Sequence, residues 1–248
     1  MLSTSVKDFL RKTLPWPLYR RLKRLREESK VFFSGRDLTS LARIYQTDKW
    51  GRHFYTPVYS HWFRDLRFKP VRLLEIGIGG YAKSRMGGNS LRMWKSYFPK
   101  GIITGIDIYD KTDLEENRIH IYTGDQSDAN FLKKVSDAKG PFGIIIDDGS
   151  HMQSHIIASF ETLFPLMASG GIYVIEDTQT SYWPKFEGST KEMNTVSSAM
   201  NYFINKVHHV NKAEWIKEDL QKDYPADEIA SISFYHNLIF ITKISTHG

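Results

Sequence analysis

The sequence predicts an α/β protein with a doubly wound, mostly parallel seven-stranded sheet, an antiparallel C-terminal hairpin and an N-terminal helical extension. Two observations predict this class. From residue 71 onward, five short apolar runs alternate with helical patterns, which is the order expected of parallel strands joined by crossover helices. Two further β-rich runs follow each other directly within residues 229–243, as in a hairpin.

Each strand and helix is predicted from a local pattern. The five apolar runs are VRLLEIGI (71–78), IITGIDI (102–108), RIHIYTG (118–124), FGIIIDD (142–148) and GIYVIED (171–177). Helical periodicity lies between most of them, at residues 90–98, 129–137 and 152–168, and again near 191–210. In the final pair of β-rich runs, His236 and Asn237 stand at the junction, where a turn is expected.

Residues 1–39 are predicted to form a basic amphipathic helical extension, and residues 40–248 the main domain. Apolar residues recur at helical spacing on both sides of two prolines: Val6, Phe9, Leu10, Leu14, then Leu18, Leu22 and Leu25. Three interpretations of this extension stay open. It could pack on the body or on a partner subunit in a homo-oligomer, lie on a membrane surface through residues 1–30, or cover the active site as a lid.

Composition excludes several classes of site. The chain has no cysteine, so any metal must be held by carboxylates or histidines, and no cysteine nucleophile is available. No apolar run approaches the roughly 20 residues of a membrane span, and no signal peptide is evident. We therefore expect a cytoplasmic protein.

The net charge of +6 lies in the N-terminal segment. Residues 1–40 contain ten basic and four acidic residues, whereas the remaining 208 contain 24 of each. Enzymes that act on nucleic acids usually place basic residues around the site that touches phosphate. A neutral body therefore argues against a nucleic-acid substrate.

A glycine-rich loop follows the first strand. Gly77, Gly79 and Ala82 satisfy the spacing of a dinucleotide fingerprint, and the glycines would let the backbone approach a bound group closely. In a dehydrogenase, however, the acidic residue that binds ribose comes about 20 residues after the glycines. Asp107 lies thirty after Gly77, which favours a different nucleoside cofactor, although the glycines alone also fit a plain turn.

Acidic residues end the other strands at the same sheet edge. Asp107 closes the second strand, where it could bind ribose hydroxyls, and Asp125 follows the third. Asp148 ends the fourth strand, and Glu176 and Asp177 end the fifth. Since adjacent strands lie about 4.8 Å apart, these last three carboxylates could converge on a hard cation such as Mg²⁺. The alternative is that these acids cap helices.

Alternation along the fourth strand separates Asp147 from Asp148. We expect Asp148 to bind metal and Asp147 to organise the loop or the cofactor pocket. Ser150 is a candidate N-cap for the next helix, which would place His151 in the first helical turn. A helix N-terminus disfavours the cationic form of a histidine, so His151 would be able to act as a general base. His155 could flank it.

Two aromatic segments are candidates for binding the acceptor. Residues 45–63 contain seven aromatic side chains, and Tyr55 and Thr56 are the candidates there to touch substrate or cofactor. Tyr182 and Trp183 follow the acidic pair directly, and the loop that carries them is expected to shape the acceptor pocket. Simple helix packing explains the first segment equally well.

Six motifs, in order, carry a family resemblance: LLEIGIGG, GGNSLRMWKSYFP, GIDIYDK, GDQSD, IIIDDGSH and VIEDTQTSYWP. They resemble the Rossmann-like class I, metal-dependent S-adenosylmethionine O-methyltransferases that act on sugar hydroxyls of macrolides and glycolipids. The resemblance covers about residues 40–243. It implies methyl transfer to a sugar of a glycosylated natural product or glycolipid.

The resemblance also implies site roles. Asp148, Glu176 and Asp177 would bind Mg²⁺, with His151 as the base. The candidate cofactor-binding residues are Glu75, Gly77, Gly79, Ser90, Asp107, Asp125, Gln126 and Asp147. Two other readings stay open: a nicotinamide-dependent oxidoreductase that uses the same glycine loop, and a catalytically silent nucleoside-binding module.

Overall fold

The computed structural model of this chain describes residues 12–34, 37–191, 193, 197–214 and 228–245. The chain forms two compact units, residues 1–64 and 65–248. The first predicted helix of the extension falls largely on residues outside the described ranges. The predicted boundary near residue 39 stays a prediction.

The described part of the unit of residues 1–64 is mainly helical. It contains α1 (Trp16–Ser34), α2 (Leu38–Tyr45) and α3 (Thr56–Phe63). Helix α2 begins at Asp37, whose side chain accepts a hydrogen bond from the Ser40 N–H at 2.9 Å. Helix α3 carries Pro57 in its first turn, where proline costs no hydrogen bond. Helix α2 contacts both other helices. The second predicted helix of the extension corresponds to α1.

The unit of residues 65–248 contains the sheet. Its strands are β1 (Arg72–Ile76), β2 (Ile102–Asp107), β3 (Ile119–Thr123), β4 (Ile144–Asp147), β5 (Ile172–Glu176), β6 (Ile229–Tyr235) and β7 (Leu238–Lys243). Their order is β3-β2-β1-β4-β5-β7-β6. The first five strands are parallel, and β7 pairs antiparallel with both β5 and β6. The predicted doubly wound sheet and its closing hairpin are confirmed.

Helices cover the sheet. They are α4 (Asn89–Tyr97), α5 (Ala129–Lys139), α6 (Gln153–Leu163) and α7 (Ala199–Lys206). The main apolar core contains Ile145 and Tyr173 from the central strands, with Leu132 of α5, Phe160 of α6 and Phe203 of α7. Because both faces of β4 are covered, all four of its residues are buried.

Two helix predictions are too long. Helix α6 ends at Leu163, not near residue 168, because Pro165 has no N–H to continue the helical hydrogen-bond pattern. Helix α7 begins only at Ala199, where the Ser198 side chain accepts from the Asn201 N–H at 3.2 Å. A 3₁₀ segment, Val207–Glu214, follows it.

Within the described ranges, no helix has the length and apolar content needed to cross a membrane.

Candidate active site at the carboxyl ends of the parallel strands

Three side chains that could bind a metal converge after strands β4 and β5. Asp148 follows β4 directly, His151 lies three residues farther along, and Asp177 follows β5. One ligand atom from each residue lies within 4.8 Å of the ligand atoms of the other two. The Nε2 atom of His151 is 3.8 Å from the Oδ2 atom of Asp177. Two carboxylates and an imidazole therefore face one point at the sheet edge.

The backbone explains how these side chains meet. The Asp148 N–H donates to the Ile76 carbonyl at 2.9 Å, which continues the pairing with β1 by one residue. His151 and Asp177 both have left-handed backbone, with φ of 59° and 55°. Residues other than glycine rarely adopt this region. Both chain segments therefore turn sharply after the strands and direct these two side chains toward each other.

The predicted helical position of His151 is wrong. Helix α6 begins at Gln153, and Met152 is its N-cap residue, so His151 lies before the helix. Ser150 is not the N-cap either: its hydroxyl accepts from the Met152 N–H at 3.2 Å and contacts Nδ1 of His155 at 3.0 Å. The helix therefore begins two residues later than a Ser150 cap requires, and the helix-terminus argument for a neutral His151 no longer applies.

Glu176, the third predicted metal ligand, is not in the cluster. It is the last residue of β5, is 2% exposed and pairs in register with Leu238 of β7. Glu176 still belongs to the strand, whereas Asp177 lies in the left-handed turn that follows it, so the two side chains occupy different positions at the sheet edge. Its role as a ligand stays a prediction.

Asp147 is an internal organiser. Its carboxylate is 2% exposed and accepts hydrogen bonds from Ser159 Oγ at 2.6 Å, Gln126 Nε2 at 3.2 Å and Tyr173 OH at 3.4 Å. Burial raises the pKa of this carboxyl. This geometry supports the predicted organising role and disfavours the predicted direct contact with a cofactor, because the bonded oxygens face the protein interior.

The glycine loop has two distinct parts. A Cβ placed on Gly77 would lie 2.1 Å from the backbone oxygen of Asp148, so this glycine permits the end of β1 and the segment after β4 to approach each other. A Cβ on Gly79 would meet no atom within 4 Å of the described structure. Both have positive φ, 87° and 75°. Gly77 therefore serves the fold, and only Gly79 borders open space where a ligand could approach.

Two further cofactor candidates lie at the same edge. Asp107 ends β2, and its two oxygens accept from the N–H groups of Ile78 at 3.0 Å and Tyr109 at 2.9 Å. Asp125 accepts from the Ser127 N–H and hydroxyl, both at 2.8 Å, which lowers its pKa. Each carboxylate has lone pairs beyond these bonds.

Three other candidates differ in their surroundings. Gln126 links Asp147 to the next turn, because its Oε1 accepts from the Ser150 N–H at 2.7 Å. Glu75 is fully buried within β1. Ser90 lies in the first turn of α4. Gln126 therefore supports the turn that leads to His151.

Lys111 supports the glycine loop and escaped the sequence analysis. Its side chain is fully buried, and Nζ donates to the carbonyls of Tyr81, Lys83 at 2.8 Å and Met86 at 3.2 Å. Burial lowers the pKa of Lys111. The only local signal was a lysine shortly after the second strand, which does not predict contacts some 25 to 30 residues back along the chain.

Gln153 and Glu187 also escaped the sequence analysis. The buried Gln153 side chain donates to the His151 carbonyl at 3.1 Å and accepts from Ser181 Oγ at 2.8 Å and the Ala199 N–H at 2.9 Å. Glu187 accepts from the Ser154 N–H at 2.8 Å. Together they attach residues 178–187, termed the acceptor loop, to the start of α6.

The substrate candidates divide into two groups. Tyr55 is 3% exposed and Thr56 fully buried, with its hydroxyl 2.8 Å from that of Thr39. The prediction that they touch substrate is therefore not supported, because both are packed inside the protein. Trp183 is 48% exposed in the acceptor loop, beside the partly buried Tyr182.

The acceptor loop brings an aromatic surface next to the cluster. The ring of Phe186 lies 6.0 Å from that of Trp183 and 6.3 Å from the imidazole of His151, centre to centre. Phe186 therefore lies between Trp183 and His151 and contacts both rings.

Comparisons with known proteins agree on one kind of enzyme. No family model matches the chain. It is 42% identical over 219 residues to the 8-demethyl-8-alpha-L-rhamnosyl tetracenomycin-C 2'-O-methyltransferase of Streptomyces olivaceus, covering 86% of this chain and 57% of that protein. It is 43% identical over 209 residues to the mycinamicin VI 2''-O-methyltransferase of Micromonospora griseorubida, covering 84% and 52%.

Solved structures give the same result. The MycE methyltransferase of the mycinamycin pathway, in complex with Mg and SAH, matches with a TM-score of 0.80 at 42% identity, covering 84% of this chain and 54% of that one. A complex that also contains mycinamycin VI matches with a TM-score of 0.76. The chain spans about half the length of the relatives it matches. Over 84% to 86% of its own length, this chain is therefore similar to known sugar O-methyltransferases.

Proposed function

We propose that this chain transfers a methyl group from S-adenosylmethionine to a sugar hydroxyl of a glycosylated natural product or glycolipid, in a reaction that needs Mg²⁺. The convergence of Asp148, His151 and Asp177 carries this proposal. The relatives support it, because two of them are named as O-methyltransferases, one of a rhamnosyl compound and one of a mycinamicin. Residues 40–248 would form the methyltransferase domain.

The donor set fits a divalent cation. Asp148 and Asp177 offer carboxylate oxygens, which Mg²⁺ prefers as ligands, and Glu176 adjoins Asp177 in the chain. Two carboxylates so close together repel each other, and a cation removes that repulsion. A bound Mg²⁺ would act as a Lewis acid that lowers the pKa of an alcohol. We assign Asp148 and Asp177 to hold it, with Glu176 as a candidate third ligand.

His151 is best suited to accept the proton of the acceptor hydroxyl. Imidazole is a less typical Mg²⁺ ligand than a carboxylate, and Nε2 stands 3.8 Å from the Asp177 carboxylate. That carboxylate would stabilise the imidazolium formed when His151 takes the proton. The Gln153 side chain holds the His151 carbonyl, so the ring stays directed at the cluster.

The sheet edge offers a place for the cofactor. S-adenosylmethionine would supply its methyl group as a sulfonium. Gly79 borders open space, and Asp107 and Asp125 stand at the ends of the neighbouring strands, where ligands bind in doubly wound sheets. The acceptor loop, with Trp183 exposed, would orient the sugar above His151. We also propose that the chain forms a homo-oligomer and is located in the cytoplasm.

Mass spectrometry tests the reaction. The full chain is incubated with S-adenosylmethionine, Mg²⁺ and a panel of rhamnosylated macrolides, polyketides and glycolipids, and products are screened for the mass gain of one methyl group. We expect a product that excess chelator prevents and added Mg²⁺ restores. An Asp148→Asn variant should lose activity together with Mn²⁺ binding measured by electron paramagnetic resonance. Full activity in excess chelator would contradict the metal requirement.

A further inference from the structure

The outward face of helix α1 carries an apolar stripe. Its first four large side chains recur at intervals of four, three and seven residues, and Phe33 adjoins the last of them. All five are solvent-exposed: Leu18 44%, Leu22 46%, Leu25 51%, Phe32 82% and Phe33 81%. Such spacing places them along one side of a helix. The buried side of the same helix includes Glu27 and Val31, at 7% and 6% exposure. Helix α1 is therefore inverted relative to an ordinary surface helix, because its most apolar side faces water.

The charges beside the stripe are mostly positive. Helix α1 contains six basic and two acidic residues, a net charge of +4. Arg21 lies at one margin of the stripe and Arg26 at the other by helical spacing. Of the two acids, Glu27 is buried beside Lys23 at 3.7 Å, and Glu28 pairs with Arg24 at 3.5 Å. The exposed surface thus combines an apolar strip with unneutralised positive flanks.

We propose that the apolar stripe of α1 docks this protein onto an anionic phospholipid membrane surface, lying parallel to it. Exposed Leu and Phe side chains would enter the region between headgroups and acyl chains, and the flanking arginines would contact the phosphates. A second copy of the same face is a poorer partner, because a symmetric pairing would bring the basic flanks against like charges. The proposal stands independently of methyl transfer.

Vesicle co-sedimentation of the full chain tests it. We expect binding to phosphatidylcholine vesicles that contain phosphatidylglycerol, and much weaker binding to phosphatidylcholine alone. Raising the salt concentration should weaken binding, since it screens the arginines. Substituting Leu22→Glu with Leu25→Glu should lower the partition coefficient at least roughly tenfold, because two apolar anchors are lost. Arg21→Glu with Arg26→Glu should remove the preference for anionic vesicles.

A matched control keeps the test specific. Leu166 is 38% exposed and lies outside the helical unit, so Leu166→Glu should bind vesicles like the wild type. Thermal midpoints and circular dichroism establish that each variant is folded. Wild-type chain that stays in the supernatant with both vesicle types would overturn the proposal. So would equal vesicle binding by the Leu22, Leu25 variant, or a dimer in sedimentation velocity that this variant converts to monomer without any vesicle binding.

Discussion

The imidazole of His151 and the carboxylate of Asp177 approach to 3.8 Å, and both residues adopt left-handed backbone. Strain of this kind costs about 1–2 kcal/mol per residue and persists where the surrounding structure imposes it. Here the two strained residues belong to the same candidate site. The sharp turns after β4 and β5 therefore account for the site geometry, more than the strands themselves do.

Replacing His151 with asparagine tests the contribution of the imidazole while the backbone turn is kept. Asparagine tolerates left-handed backbone better than most residues, so His151→Asn should keep the turn and lose only the proton acceptor. We expect kcat to fall about 10²- to 10⁴-fold, while Mn²⁺ affinity and thermal midpoint stay close to wild type. Steady-state kinetics and titration with Mn²⁺ measure this. A large loss of Mn²⁺ affinity would instead identify His151 as a metal ligand.

The sequence predicts which acidic residues lie at the carboxyl edge of the sheet, because the topology of parallel strands determines it. Parallel strands bring their carboxyl ends together, so Asp107, Asp148 and Asp177 could be assigned to one edge before any coordinates. The turns that follow the strands were less predictable. Left-handed backbone at a histidine or an aspartate has no reliable local signal, so the sequence does not predict that helix α6 begins as late as Gln153.

The sequence also does not predict long-range contacts between side chains. Gln153 bonds to Ser181 and Ala199, which lie 28 and 46 residues away, and its own neighbourhood in the chain resembles any helix start. Likewise, Thr56 looked like a polar residue in an aromatic loop, but it is buried with Thr39 as its partner. Such pairings depend on how helices pack, and periodicity does not reveal which polar groups packing brings together.

The two glycines after β1 should respond differently to alanine. In Gly77→Ala the new Cβ would lie 2.1 Å from the Asp148 carbonyl oxygen, so the backbone at Asp148 must shift. We expect a loss of more than about 2 kcal/mol in the free energy of unfolding. Gly79→Ala meets no steric obstacle in the described structure and should lose only about 1 kcal/mol from backbone strain. Urea denaturation measures both.

Cofactor binding tests the role of Gly79 in a second way. Gly79 borders open space, so its alanine variant should weaken S-adenosylmethionine binding in isothermal calorimetry more than its small stability loss explains. Unchanged affinity in a folded Gly79→Ala protein would argue against cofactor contact at this position.

Gln153 should be a positioning residue for His151. In Gln153→Met the His151 carbonyl, the Ser181 hydroxyl and the Ala199 N–H each lose a buried partner. We expect the free energy of unfolding to fall by about 2–4 kcal/mol, and kcat to fall with Mn²⁺ affinity retained. Gln179→Met is the matched control, because the Oε1 atom of Gln179 makes no hydrogen bond with described residues. Equal effects of the two substitutions would remove Gln153 from this role.

Glu187 should make the stability of the acceptor loop depend on acid pH. Its carboxylate accepts the Ser154 N–H at the start of α6, and this bond is the main reason that its pKa is lowered; the nearby His155 charge adds to the effect. A carboxyl whose folded pKa lies below its unfolded value stabilises the protein above the unfolded pKa. That contribution is lost as pH falls through the folded pKa.

Glu187→Ala should therefore lower the thermal midpoint at pH 7, and the difference from wild type should shrink as pH falls below about 4.5. Thermal melts from pH 7 to pH 3 measure this, and a difference that does not change with pH would show that the Glu187 charge does not hold the loop.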